Sequence, residues 1–405
     1  MDILPILSTL RRHKTTALLV VLEIALTCAI VCNAMFLIEL RLQRTEIASG
    51  VAEHELMQIQ LAGIGKQVNA AARIQEDLAL LRQIPGVTAA TRINQAPFTS
   101  NSWNSGIKLD LKQKEATLSA TTYYGEDVIR TFGARLVAGR DFNAGDYRDF
   151  DQALTDAKAS PKTSIITQAL AERLWPGQSA LGKNIILGDD SIQVVGVIAS
   201  LIRPSLSTGD DTAQWTILLP FRMNIANYGR YILRSAPAQR DQVLAAAVAA
   251  LRKADPHRVV IEQSTLDDSR AEFFRSDLAM AGILVGVIVA LLIVTALGIV
   301  GLASFWVAQR RRMIGVRRAL GATRSDILHY FQAENFLLVS IGIALGTLLT
   351  YSINLFLMAH YELPHLPTLY LPVGALALWL LGQGAVLGPA LRAAAVPPVV
   401  ATRSV

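Results

Sequence analysis

Four long runs of this chain carry almost no charge, and they constrain everything else about its fold. A helix crosses the hydrocarbon core of a bilayer in about 20 apolar residues. Thr15–Leu40, with only Glu23 and Glu39 charged, reaches that length, as do Leu278–Trp306, Asn335–Ala359 and Leu371–Leu391. The last run keeps Pro372 and Pro389 near its ends, where proline disturbs a helix least. Arg11, Arg12 and Lys14 precede the first run in the manner of a signal peptide. Its apolar stretch is too long for one, and no small-residue cleavage pattern follows before Arg41, so the run is expected to stay as an anchor.

Short flanks rich in Lys and Arg remain in the cytoplasm. Arg310, Arg311, Arg312, Arg317, Arg318 and Arg324 lie between the second and third runs, and Arg392 and Arg403 follow the fourth. The resulting expectation is a cytoplasmic N-terminus over 1–14, spans at 15–40, 277–306, 335–359 and 371–391, an exported domain over 41–276, a cytoplasmic loop at 307–334, an outer loop at 360–370 and a cytoplasmic C-terminus over 392–405. The formal net charge of +6 then separates into +8 on the cytoplasmic flanks and −2 elsewhere. The basic balance reports topology, and no nucleic-acid partner is expected. Only 17% of residues are charged, against about 25% in soluble chains.

Segment 41–276 is too long for a loop and should fold by itself. Glu55–Leu61 alternates as a strand, Ala71–Gln83 has helical spacing and Gly86–Ile93 reads as a second strand. Tyr231–Arg234, Pro237–Lys253 and Arg258–Gln263 repeat that order. Two β-α-β units beside the two membrane connections suggest one subdomain in two halves, with an inserted lobe over about 110–220. The fold class expected is an α-helical membrane protein with four spans plus an α+β exported domain.

No catalytic constellation emerges. Cys28 and Cys32 lie four apart in the first run, where a continuous helix cannot join them, and read as apolar packing. His360 and His365 share a loop with Glu362 at a spacing that makes a poor metal site, and no metal or cofactor is expected on this chain. Gly177–Asn184 matches a phosphate-binding loop except at its last position, where asparagine replaces the hydroxyl that would hold magnesium. A glycine-bounded turn is expected there. Glu23, inside the first span, is costly in lipid and is expected to hydrogen bond to a neighbouring span.

The most informative stretch is Gln309–Asn335. Arg310–Arg312 are expected at the headgroup level, snorkelling towards membrane lipids. Ile314, Val316, Ala319 and Leu320 would form an apolar strip on a short helix ended by Gly321, and Thr323 with Asp326 would cap the next helix. GVRRALGATRSDI with the following Phe331–Glu334 closely resembles the signature of MacB/FtsX-type ABC transporter permeases, including their LolC/LolE-like relatives. Tyr123–Phe142, Thr167–Val197 and Pro389–Arg403 resemble further blocks of that family, in order.

The resemblance implies a permease dimer, of two copies or of this chain with a paralogue, working with a separate cytoplasmic ABC ATPase that carries the ATP and magnesium. It implies mechanotransmission: Gly315, Val316, Arg317, Arg318, Ala319, Leu320, Gly321 and Ala322 would form the helix that couples to the ATPase, and Leu42–His54 with Leu266–Ser276 a stalk. The exported domain would be periplasmic, in the bacterial inner membrane, with a porter-like β-α-β part carrying the lobe. A periplasmic adaptor and an outer-membrane channel would be further partners, and the cargo a peptide, antibiotic or lipid-linked molecule. The alternative the family offers is an FtsX-like scaffold that activates a cell-wall hydrolase. Members commonly have glutamate where this chain has Met313, which suggests a weaker or asymmetric ATPase contact and a heterodimer.

Overall fold

A computed structural model describes residues 14–63, 69–206, 212–225, 229–361 and 364–396. Asp2, Arg11, Arg12, Glu362 and Arg403 lie outside the described residues. The first helix, α1 (Lys14–Thr45), precedes β1 (Leu56–Gly63), α2 (Ala70–Arg82) and β2 (Val87–Ile93). There follow β3 (Asn104–Lys108), β4 (Leu118–Tyr124), α3 (Val128–Phe132), β5 (Leu136–Gly139), β6 (Arg148–Asp149), α4 (Phe150–Ala153), β7 (Thr163–Thr167), α5 (Gln168–Leu174), β8 (Asn184–Leu187), β9 (Asp190–Ile198), β10 (Thr216–Leu219) and β11 (Phe221–Arg222). The chain then runs through β12 (Arg230–Ser235), α6 (Arg240–Ala254) and β13 (Arg258–Thr265). Four helices complete it: α7 (Leu266–Gln309), α8 (Arg311–Ala319), α9 (Arg324–Tyr361) and α10 (Tyr370–Ala394).

Two compact units result, one of 1–45 with 277–405 and one of Glu46–Ser276. In the first, α1, α7, α9 and α10 are each long and apolar enough to cross a membrane. Small residues let α1 approach α9 and α10 closely. Gly342 and Gly346 of α9 face Ile24 and Cys28, and Gly374 faces Cys32, at distances a Cβ would violate. Both cysteines are free and buried. By contrast, only 11% of the apolar window of α7 is buried within this chain.

The second unit holds a four-stranded sheet, a seven-stranded sheet and a two-stranded pairing of β6 with β11. The order β13-β1-β12-β2 is antiparallel throughout. Helices α2 and α6 cover one face of it, because Ile74, Leu78 and Leu81 on one and Val243, Ala247 and Leu251 on the other fall at helical spacing opposite Met57, Ile59, Tyr231 and Leu233. The second sheet, β5-β9-β7-β10-β4-β3-β8, also pairs β8 with β9 and so closes on itself around Ile107, Ile166, Ile185, Ile192, Val194 and Ile217. The inserted lobe therefore spans β3 to β11, starting a few residues before the 110 expected from sequence.

One buried charge cluster locks the four-stranded sheet to its helices. Asp77, on the inward face of α2, accepts a hydrogen bond from Tyr231 Oη at 2.6 Å and two from Arg258, one of them at 2.9 Å. Its side chain is 3% exposed and that of Arg258 8%. Removing one partner strands the other's charge, which costs about 3–5 kcal/mol. Asp77→Ala should accordingly lower the thermal unfolding midpoint of the nanodisc-embedded chain, read by near-UV circular dichroism, and Asp77→Asn should lower it less. An unchanged midpoint in the alanine variant would remove the cluster from the fold's supports.

Candidate functional site

The short helix α8 sits between two spans and is held by its basic residues. Arg310, in the turn before it, donates through Nη1 to Glu334 Oε1 and Oε2 at 3.1 and 2.8 Å. The two side chains are 7% and 2% exposed, and the guanidinium lies 5.3 Å over the Trp306 ring. Arg310 is thus no headgroup anchor: of the three arginines expected there, only Arg311 and Arg312 are exposed. Arg318 donates through Nη1 to the carbonyls of Ala394 and Val396, both at 3.0 Å, and so caps the end of α10 with positive charge. Arg317 covers the Tyr330 ring at 4.9 Å.

The expected apolar strip is divided between two faces. Ile314 and the buried Gly315 turn inward, and Ile314 packs with Ile327, Phe331, Ala390 and Ala393. Val316 and Leu320 turn outward, 45% and 83% exposed, and Met313 joins them at 43%. Ala319 is exposed beside them, while Ala322 packs against the inner cluster. The helix ends at Gly321, whose φ of +104° suits glycine. Thr323 and Asp326 then cap α9 reciprocally, Thr323 N donating to Asp326 Oδ2 at 2.9 Å and Asp326 N to Thr323 Oγ1 at 3.2 Å. The Thr323 hydroxyl and amide hold the Asp326 carboxyl below its ordinary range.

Along the α1–α7 seam polar contacts join apolar ones, in which Ile299 and Trp306 of α7 share buried clusters with Val20, Val21 and Ile24 of α1. Thr27 and Thr295 share a hydrogen bond of 2.8 Å, and Asp277 accepts from Arg41 and Arg44 at 2.6 and 2.9 Å. Glu23 lies half-buried with its carboxylate resting on Gly298, where a Cβ would come within 2.6 Å. The hydrogen bond expected for Glu23 is not found among the described residues. The stalk also differs from expectation, because α1 ends at Thr45 and only a short turn at Glu53–Glu55 follows it before β1. Leu266–Ser276, its other half, is the start of α7.

Those first turns of α7 grip a loop. Phe98 holds φ +63°, a strained conformation for a bulky side chain. Its ring meets Phe273 at 6.0 Å and Phe274 at 5.9 Å, with the Arg270 guanidinium 5.0 Å above it. Arg270 also donates to Glu53 and to the Ile47 carbonyl. Neither Phe98 nor the Arg310–Glu334 pair was anticipated. An acid directly before 25 uncharged residues was the one signal that could have revealed Glu334 as a buried partner.

No group of three metal-binding side chains occurs among the described residues. His360 donates from Nδ1 to the Phe356 carbonyl at 3.0 Å and stacks on the Phe356 ring. In the turn resembling a phosphate loop, Lys183 Nζ is held by Gln178 at 2.6 Å and lies over Trp175.

Replacing Arg310 by alanine leaves Glu334 buried without its partner, at a cost of about 3–5 kcal/mol, whereas an apolar pair of similar volume restores most of it. Thermal unfolding in nanodiscs should therefore rank Arg310→Ala well below Arg310→Met/Glu334→Met. Equal midpoints would show that the pair is not what holds the turn.

Comparison with known proteins adds the following. Residues 22–255 match the model of the MacB-like periplasmic core domain, and residues 285–398 that of the FtsX-like permease C-terminal region. The macrolide export ATP-binding/permease protein MacB of Pasteurella multocida is 27% identical over 68% of this chain and 40% of its own length. The chain thus spans about two fifths of that relative. YvrN, an uncharacterised ABC transporter permease of Bacillus subtilis, is 26% identical over 69% of this chain and 68% of its own. The periplasmic region of MacB from Actinobacillus actinomycetemcomitans superposes on 55% of this chain and 94% of its own, at 12% identity and a TM-score of 0.34.

Proposed function

The chain belongs to the MacB/FtsX-type ABC transporter permeases, and from that premise we propose that it couples ATP hydrolysis on a separate cytoplasmic ATPase to movement of its periplasmic domain. Its four apolar helices and MacB-like periplasmic core domain fit a multi-pass inner-membrane protein. Both termini and α8 would face the cytoplasm, as the basic flanks direct. ATP and magnesium would sit on the ATPase, and this chain would supply the surface the ATPase pushes.

The observation that carries the reading is the division of α8. Its inner face is fastened by Ile314, Arg317 and Arg318, while Met313, Val316 and Leu320 stand unpartnered in a setting rich in charge. Exposed apolar side chains grouped on one helix face mark an interaction site. Met313 extends that patch, so an apolar contact replaces the charged one its glutamate-bearing relatives would make. The force would pass through the Arg310 turn into α7, whose first turns hold Phe98 in the periplasmic domain. The movement would serve export or extraction of a peptide, antibiotic or lipid-linked cargo, by a dimer of two copies or of this chain with a paralogue, with a periplasmic adaptor and an outer-membrane channel as further partners. One relative is a macrolide export ATP-binding/permease protein and another an ABC transporter permease, which does not favour the FtsX-like scaffold.

Reconstitution of the full chain with its ATPase in proteoliposomes tests the reading. Val316→Glu/Leu320→Glu should abolish membrane recruitment of the ATPase and lower its stimulated turnover at least about tenfold, a loss of roughly 1.4 kcal/mol in contact energy. Undiminished recruitment would overturn α8 as the dock. Full activity with this chain as the sole permease would exclude the heterodimer.

A further inference from the structure

A cleft of about 260 Å³ opens in the periplasmic domain beside the Gln60 and Arg230 ends of β1 and β12, on the sheet face turned away from α2 and α6, and beside the segment leading into β3. Gln60, Arg230, Ser100, Asn101 and Trp103 line it, together with Asn94 and Gln95. The last two are already occupied. Asn94 bonds the Tyr124 amide and the Thr122 carbonyl, and Gln95 bonds the Trp103 amide and the Thr122 carbonyl. They act as substitute backbone, holding the far wall rigid.

The open groups define the ligand. Arg230 is compensated by Glu262 at 3.3 Å and by the amide oxygens of Gln58 and Gln60. Among the described residues, an anion would therefore find no spare cation, and no acidic side chain lines the cleft to receive a cation. An apolar occupant would leave the amides without hydrogen bonds, a cost of about 1–3 kcal/mol for each group. Among the described residues, the Gln60 amide nitrogen and the side chains of Ser100 and Asn101 have no partner, and each can serve hydroxyl groups as donor or acceptor. A peptide main chain is bound along a free strand edge. Here β1 and β12 are already paired with each other at Gln58–Ile232 and Ile59–Tyr231. Trp103, its ring packed against Tyr124 and Phe150, completes the wall.

We propose that this cleft binds a neutral saccharide group, free or as part of a larger molecule. Its volume lies just below the usual range of small-ligand pockets, about 300–1,000 Å³, and suits one sugar ring. Ser100 and Asn101 directly follow Thr99 and Phe98, the residue clamped by Phe273 and Phe274. An occupied cleft thus fixes the segment that the first turns of α7 grip. The inference stands apart from ATPase coupling, since binding is measured without any ATPase present.

Saturation-transfer NMR on the full chain in nanodiscs, free of sugar-based detergent, is the test. N-acetylglucosamine and maltose are the probes, with trialanine and inorganic phosphate as comparisons. Transfer to at least one saccharide is expected, weakened about tenfold in both Ser100→Ala and Asn101→Ala, each of which should keep the parent's unfolding midpoint. Absence of transfer to both saccharides would overturn the proposal. So would transfer that neither variant weakens, or stronger transfer to trialanine or phosphate that the variants abolish.

Discussion

The Arg310–Glu334 pair is the interaction on which the α8 end of the four-helix unit depends. An arginine and a glutamate taken out of water gain little over an apolar pair, so their worth lies in fixing geometry rather than in net stability. Here they fix the turn between α7 and α8 against α9. Arg318 does the same between α8 and the end of α10, through carbonyls that the last turn of a helix leaves unsatisfied. Two arginines thus join three helices at one point, and the short helix between them has little freedom to move alone. Any push on its outer face is received by α7, α9 and α10 together.

The spans differ in how they are held. Helix α1 is packed through glycines against α9 and α10, a mode suited to lipid, where close van der Waals contact replaces the hydrophobic drive. Helix α7 meets α1 through Thr27–Thr295, the Asp277 cluster and the Glu23 carboxylate on Gly298, with Ile299 and Trp306 as its buried apolar anchors. Most of its apolar surface is left open. Hydrogen bonds between membrane helices contribute on average only about 0.6 kcal/mol each. A seam built from a few of them is easier to shift than one built from interlocked glycines. The helix that spans from the membrane into the periplasmic domain is therefore also the least firmly packed.

Much of this was legible beforehand. Hydrocarbon forces long uncharged runs on any spanning helix, so the four helices could be read from charge alone, and the two β-α-β units from the change of hydrophobic period. The termination of α8 at Gly321 and the Thr323–Asp326 cap were likewise local, set by residues three apart. What could not be read was which face of α8 points inward. Ile314 and Val316 are equally apolar, and only the position of Phe331 and Ala390, far away in sequence, decides between them. The Arg310–Glu334 pair and the Phe98 clamp escaped for the same reason. Each joins residues whose meeting depends on tertiary packing, and a basic residue at a span's end ordinarily belongs to the headgroups.

The closed barrel is attached to the four-stranded sheet in a way that bears on how such a chain can diversify. It leaves after β2 and returns at β12, and the residues at those two points, Ile93 and Arg230, are direct partners across an antiparallel ladder. Without the lobe, a turn of two to five residues would join them as an ordinary hairpin. With β3, β4, β7, β8, β9 and β10 each paired on both sides, the lobe brings its own core and needs no strand from its host. It is a cassette, and a lineage could enlarge, shrink or exchange it without disturbing the sheet and helices of its host.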